Sequence, residues 1–378
     1  MDFTIEPHHE ELRRRIRAIV AEHVDSDVTE HTHRTGTNHH PPLARALGEA
    51  GILGQAMPGA GQDPVALWLL SSEGEKLGAP LDATLMGLVI AGVLHAVGSE
   101  YQKERVAAGL LSGEETVCFG LTEPGGGSDL PAITTRAARD GDGWVINGAK
   151  MWTTMAQIAD WVFLLARTDT EAGRYQGFTT FILPADTPGI TIDPIWTMST
   201  ERSNATFYDD VRVGPEWVIG EPGDGWRVLS FMLGFERGMG NTGALGPLLR
   251  RFTAWARSAG VIDDPLVRER MAQIALDAQA AELLTQRTVW TAAMGHPPGT
   301  EGSIAKVYAT EAYQRHARWA QATAGVDGLL GFGAPGAAAD GWIDYDVRHS
   351  TPQTFQGGTS EINRNNIAER HLGLPRAR

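Results

Sequence analysis

Three short stretches combine residue types that point to ligand chemistry. The first is Cys118-Phe119-Gly120-Leu121-Thr122-Glu123-Pro124-Gly125-Gly126-Gly127-Ser128-Asp129. Three consecutive glycines let a backbone approach a ligand closely and turn N–H groups toward an anion, and Thr122 and Ser128 add hydroxyls. That suits a loop holding a phosphate-bearing cofactor, although the spacing is neither that of a P-loop nor that of a dinucleotide fingerprint. The second stretch, Gly143-Trp144-Val145-Ile146-Asn147-Gly148-Ala149-Lys150-Met151-Trp152-Thr153-Thr154, reads as a hairpin with an Asn-Gly turn. Trp152 and Thr154 then fall on one side of an extended strand, where an indole can pack on a flavin-like ring and a hydroxyl can bond its polar edge. The third, Gln356-Gly357-Gly358-Thr359-Ser360-Glu361-Ile362-Asn363-Arg364, places Thr359-Ser360 as the N-cap of a last helix, an end that favours anions. Taken singly, each also has a plain reading: a turn, a core tryptophan, a helix cap.

The elements that must carry these stretches fall into three zones. Residues 1–115 read as a helical domain. Glu10 to Val20 puts apolar side chains at helical spacing, and further helices are expected from Pro41, over 64–78 and over 82–98. Residues 116–225 hold short β-rich runs separated by turn signals such as Asp140-Gly141-Asp142-Gly143, which predicts a small barrel or sandwich. Residues 226–378 return to helix, with Asp264-Pro265 opening a long one, a second over 301–323, and alanines and leucines at bundle-like spacing. The fold class expected is therefore mainly α with a central β domain.

Composition narrows the function classes. The 378 residues carry a formal net charge of −14 and no long basic run, which argues against nucleic-acid binding by phosphate neutralisation. No stretch reaches the ~18–20 apolar residues of a membrane span, and the start lacks a signal-peptide layout. The single cysteine, Cys118, cannot form an intrachain disulfide and fits a reducing cytoplasm. His23, His31, His33, His39 and His40 gather near the start at no zinc-like spacing. A solvated loop, and no metal, is expected there.

Together the three stretches resemble motifs of the acyl-CoA dehydrogenase family, roughly L-T-E-P-x-x-G-S-D, N-G-x-K-x-W-I-T and G-T-x-E-I-x-R. Gly98-Ser99-Glu100-Tyr101-Gln102-Lys103, Gln321-Ala322-Thr323-Ala324-Gly325, Tyr345-Asp346-Val347-Arg348 and the ending Ile367 to Arg376 add further similarity in family order. The resemblance implies an N-terminal helical domain, a central β domain and a C-terminal four-helix bundle. It also implies FAD. Phe119, Leu121, Thr122, Gly127 and Ser128 would line the flavin and pyrophosphate, and Trp152 and Thr154 the ring. Gln321, Gly325, Thr359 and Glu361 would reach the other half of the cofactor, partly across a subunit boundary. A dimer or tetramer is thereby implied, homomeric or with a related subunit, with electron-transferring flavoprotein as the electron acceptor.

Many members carry a glutamate in the last motif, as Y-E-G-T, where this chain has Gly357. A subset resembling the isovaleryl- and long-chain enzymes carries it instead before an arginine on the first long C-terminal helix, which matches Glu236-Arg237 here. The resemblance thus implies Glu236 as the base for the α-proton of an acyl-CoA, with Ser128 and Arg237 on the substrate side. The family's R-x-x-F-G is not recognisable, and residues 255–260 occupy that region. Two alternatives stand beside dehydrogenation: a non-catalytic subunit of a heteromeric complex, and a flavin monooxygenase or oxidase on the same fold.

Overall fold

The structure is a computed structural model that describes residues 3–59, 61–238, 244–296 and 299–376, without the side chains of Glu236 and Arg237. The chain opens with α1 (Pro7–His23), α2 (Ser26–Thr35), α3 (Pro41–Glu49), α4 (Ile52–Ala56), α5 (Pro64–Leu77) and α6 (Asp82–Val97). One continuous helical run follows, built from α7 (Glu100–Gln102), a π-helical turn (Lys103–Ala107) and α8 (Ala108–Ser112). In α1, proline fits the first turn, and His9, Leu12, Ile16 and Val20 recur at helical spacing on the buried face. They join Leu43, Leu47, Leu67 and Leu70 in the N-terminal core. Helix α6 is instead buried almost all round from Ala83 to Leu94. It is packed on several sides: Val89, Ile90, Val93 and Leu94 share a core with residues from both later zones.

The strands are β1 (Val117–Gly120), β2 (Arg136–Asp140), β3 (Gly143–Lys150), β4 (Trp161–Arg167), β5 (Phe178–Pro184), β6 (Ile190–Trp196), β7 (Arg202–Val213) and β8 (Val218–Ile219). They form one sheet in the order β6-β7-β3-β2-β4-β5-β8, with β1 parallel to β4. The sheet is open rather than a closed barrel: β6 and β8 lie at opposite ends of the order. Strand β8 has two residues, too few to offer a long closing edge. Strands β4 and β5 are buried along nearly their whole length, because the first C-terminal helix packs on them and residues of α6 share their core.

The Asn147-Gly148 pair is not a turn. It lies inside β3, at an irregularity in the pairing with β7, and the chain reverses instead at Asp140–Gly143. Close packing explains the glycine, since a Cβ on Gly148 would lie 2.5 Å from the Thr135 hydroxyl oxygen.

The remaining helices are α9 (Gly225–Gly238), α10 (Leu245–Ser258), α11 (Pro265–Ala293), α12 (Glu301–Ala324), α13 (Trp342–Gln353) and α14 (Ser360–Asn366). Leu245, Leu248, Phe252, Ile274, Ala281, Tyr313, Ala317 and Ile343 build the C-terminal core. Asp264 caps α11 through bonds from Leu266 and Val267 N–H, as its position before Pro265 leads one to expect.

Gln102 ties the first zone to the second. Its side-chain amide is fully buried and donates to the carbonyls of Glu216 and Val218, both at 2.8 Å. Its oxygen closes a capping box with Ser99. Gln102→Ala should cost about 2–3 kcal/mol by leaving buried carbonyls unpaired. The check is a lower melting temperature with the bound-flavin spectrum unchanged.

Candidate functional site

The glycine-rich loop and the Trp152 turn stand side by side. Strand β1 delivers Phe119 to the start of the loop, and Met151 N–H donates to the Thr122 carbonyl at 2.8 Å. Trp152 does not lie on an extended strand. It has a positive φ of 60° and sits in a bend just beyond β3, so Thr154 follows it round a corner. Its indole is 55% exposed, a large apolar ring left open beside the hydroxyls of Thr122 and Thr154. Gly125, Gly127 and Ser128 are exposed as well, and a Cβ on Gly125 would meet nothing within 4 Å.

Glu123 and Lys150, inside the motifs, are structural. Lys150 is fully buried, and its Nζ lies 2.9 Å from Glu123 Oε1 and 3.1 Å from the Leu121 carbonyl oxygen. The Glu123 carboxylate also accepts from the N–H groups of Thr134 and Thr135 and from the Thr134 hydroxyl. Burial pushes the Glu123 carboxyl up, but the Lys150 charge and these donors outweigh it and hold it at about 2. Burial draws Lys150 down to about 8 against the pull of Glu123. The pair pins both ends of the loop to β3. Asn204 fixes the other side of the turn, since its amide donates to the Thr153 carbonyl and Thr153 N–H donates to the Asn204 carbonyl.

Helix α9 approaches the same place. Val228, Leu229 and Met232 are buried in the core against which Phe119, Leu121, Leu130, Leu233 and Phe235 also pack. Position 236 lies one helical turn beyond Met232 along α9. The side chains of Glu236 and Arg237, the base and the substrate-side residue implied by sequence, lie outside the described residues. At the other candidate position, Gly357 has φ +59° and Gly358 φ +93°, both in the left-handed region. Thr359 caps α14 by accepting from Ile362 N–H, and Glu361 is exposed in its first turn.

A cavity of about 280 Å³ lies among α2, α5, α6, α10 and α13. Its walls include His33 of α2, Asn38, Asp82 and Leu85 of α6, Glu201 before β7, Arg251 of α10, and Trp342, Tyr345, Asp346, His349 and Gln353 of α13. Ala244, eight positions after Glu236, and Gln353, four before Gly357, both line it. His349 Nδ1 and Glu201 Oε1 form an ion pair at 2.8 Å. Burial alone would lower His349, and the pairing reverses this and raises it; Glu201 is correspondingly lowered against its own burial. Asp82 is pushed up to about 6 by burial and by Glu201. His33 is not in a solvated loop: it stacks on Phe332 at 4.0 Å and packs against Trp342 and Tyr345. Burial, Arg251 and His349 lower it to about 4, so it is neutral at pH 7. No sequence signal marks Asp82, Glu201 or His349, because five separate segments bring the walls together.

Gln321 and Gly325 lie elsewhere. Lys306 donates to the Gly358 carbonyl near the start of α12, whereas Gln321 stands fifteen residues further along, on the order of 22 Å at the helical rise. There Gln321 donates to the Gly328 carbonyl, and Gly325 is exposed at φ +63°. A single chain therefore splits the sequence-implied cofactor residues into two distant groups. Among the described residues the one His/Asp cluster close enough to hold a metal ion is His8, His9 and Asp63, not the later histidines. The 2.6 Å His9–Asp63 bond already accounts for its contact. No described helix is long and apolar enough to cross a membrane.

Family models for the N-terminal, middle and C-terminal domains of acyl-CoA dehydrogenases match residues 6–114, 118–211 and 223–372. The chain belongs to the acyl-CoA dehydrogenase family. It is 32% identical over 393 residues to the acyl-CoA dehydrogenase FadE29 of Mycobacterium tuberculosis, spanning 100% of this chain and 99% of that protein. Two solved structures cover both chains completely. One is titled Tcur3481-Tcur3483 steroid ACAD, with a TM-score of 0.91 and 32% identity. The other is the ChsE4-ChsE5 complex from Mycobacterium tuberculosis, with a TM-score of 0.90 and 30% identity. This acyl-CoA dehydrogenase is an oxidoreductase of a family that binds FAD. The residues present fit such a cofactor: an open indole face, a glycine loop with accessible N–H groups and two hydroxyls stand within one local surface.

Proposed function

We propose that this acyl-CoA dehydrogenase converts a bulky acyl-CoA thioester to its trans-2-enoyl-CoA, with Glu236 taking the α-proton. The observation that supports this most is the backbone at the two alternative base positions. Gly357, at φ +59°, has no carboxylate and stands where a side chain would be strained. Position 236 follows one turn after Met232 in α9, a helix whose Val228, Leu229 and Met232 share a core with Leu121. An acyl chain bound beside Glu236 would exclude water and leave a carboxylate close to an otherwise weakly acidic α-C–H.

FAD, when bound, supplies the two-electron acceptor for the β-hydride. The chain's own residues would bind and orient it. Phe119, Leu121 and Thr122 would hold its ring, Gly127 and Ser128 would offer N–H and O–H groups to its anionic part, and Trp152 and Thr154 would contact the ring. Ser128 and Arg237 would face the thioester. Gln321, Gly325, Thr359 and Glu361 would serve a cofactor shared between subunits, which accounts for their separation in one chain. Electron-transferring flavoprotein is the proposed acceptor of the electrons. A bulky acyl group is supported by the likeness to the structure titled a steroid ACAD.

Anaerobic titration of the purified, FAD-loaded protein with acyl-CoAs of graded size should bleach the flavin band stoichiometrically, most readily with branched or alicyclic acyl groups. A flavin that stays oxidised with every thioester would overturn this reading. A second reading, a subunit that works only with an unlike partner, is favoured by the titles of the two similar structures, each naming two proteins. It requires that the chain purified alone bind substoichiometric FAD and regain it on co-expression with that partner.

A further inference from the structure

The cavity among α2, α5, α6, α10 and α13 is unlike a pocket built only for hydrocarbon. Four carboxylates, Glu75, Asp82, Glu201 and Asp346, line it together with Arg251, His349 and the Tyr345 ring. Each cation is already engaged. His349 pairs with Glu201. Arg251 lies 3.4 Å over the Trp342 ring and 3.3 Å from Asp346 Oδ1. The acceptors are not all used. Asp346 is completely buried, its Oδ1 takes bonds from Arg251 and Tyr313, and its Oδ2 has no partner. Asp82, on the cavity wall and open to it, takes one bond from Asn38 and has Glu201 and His349 nearby, which leaves acceptor capacity toward the cavity. An unengaged carboxylate oxygen in such a place favours a hydrogen-bond donor.

The walls also select shape. Trp342, Tyr345 and His33 present rings packed edge and face on one another, with Phe332 behind His33. Flat, fixed walls suit a rigid alicyclic skeleton better than a flexible chain. The excess of carboxylates disfavours an acyl group that ends in a second carboxylate.

We propose that this cavity recognises a hydroxyl group on the part of an alicyclic acyl group furthest from the thioester, with Asp82 as the acceptor. The proposal rests on the dehydrogenase reading above and narrows its substrate class. A carboxylate accepts from a hydroxyl and has no donor for a ketone, so the order of preference is hydroxyl first, then ketone and the unsubstituted skeleton. Sites that hydrogen-bond a substrate hydroxyl discriminate against its absence, because a bound skeleton that covers the acceptor then leaves it without that partner.

The test uses the FAD-loaded enzyme and three acyl-CoAs sharing one alicyclic acyl skeleton, bearing a distal hydroxyl, a distal ketone or neither, with flavin bleaching followed anaerobically. The hydroxylated thioester is expected to exceed the unsubstituted one in kcat/KM by about tenfold or more. In Asp82→Leu that ratio is expected to fall to near one. Equal kcat/KM across the three, or an Asp82→Leu variant that keeps the wild-type ratio, overturns the proposal. Should Asp82→Leu fail to fold, the wild-type ranking alone decides. Bleaching by none of the three overturns the dehydrogenase reading itself, which separates that failure from equal bleaching by all.

Discussion

Replacing Glu236 with glutamine is expected to slow acyl-CoA-dependent flavin reduction by about 10²–10⁴-fold while FAD remains bound. The amide keeps the shape and hydrogen-bonding reach of the side chain but cannot accept a proton at neutral pH. Because α9 packs through Val228, Leu229 and Met232, the substitution leaves the helix anchored. Stopped-flow reduction with a thioester that bleaches the wild type provides the rate, and the flavin-to-protein absorbance ratio provides the occupancy. Wild-type reduction in Glu236→Gln would sink the assignment. A further arm moves the carboxylate: Glu236→Gly with Gly357→Glu should restore part of the rate, limited by the roughly 1–2 kcal/mol that a side chain costs at a left-handed position.

The second large effect falls on stability. Lys150→Met should destabilise the β domain by about 3–5 kcal/mol, since it leaves the Glu123 carboxylate buried without its counter-charge. The loop from Leu121 to Asp129 would loosen with it, and FAD affinity should fall in parallel. The pH dependence has a definite sign. The Glu123 carboxyl is held at about 2 in the folded protein, below its ordinary range near 4.3, so its contribution is complete above that range and is lost as pH falls from about 4 toward 2. In Lys150→Met the depression is relieved, so stability over that window should vary less with pH than in the wild type. Denaturant unfolding at pH 7 and pH 3.5 measures both effects. A variant as stable as the wild type at pH 7 would show that the pair braces nothing.

Much of this was legible in the residues. Apolar spacing in Glu10–Val20 and the Asp264-Pro265 cap announced α1 and α11, because helix period and capping are local properties. The glycine run and the Trp152-Thr154 pair stood out as candidate ligand residues because an approachable backbone and an aromatic ring beside hydroxyls are local features of the sequence. Local reading failed where a neighbour decided the outcome. Asn147-Gly148 carries a strong turn signal, yet Thr135 packs onto Gly148 and β7 pairs across it, so the strand runs through. His33 looked solvated until Phe332 and Trp342, some three hundred residues away in sequence, closed on it.

What the sequence determined alone is the order of helical, β and helical zones, the family, and the pairing of an occupied position 236 with a vacant position 357. These depend on residue type and spacing. What only the tertiary structure decided is which polar residues are braces and which line a cavity. Glu123 and Lys150 sit inside the most recognisable motifs and hold the scaffold, whereas Asp82, Glu201 and His349 carry no motif and line a cavity. The physical reason is that a charge acquires its role from what surrounds it. Desolvation and the nearest opposite charge act across distant segments, and spacing along the chain records neither.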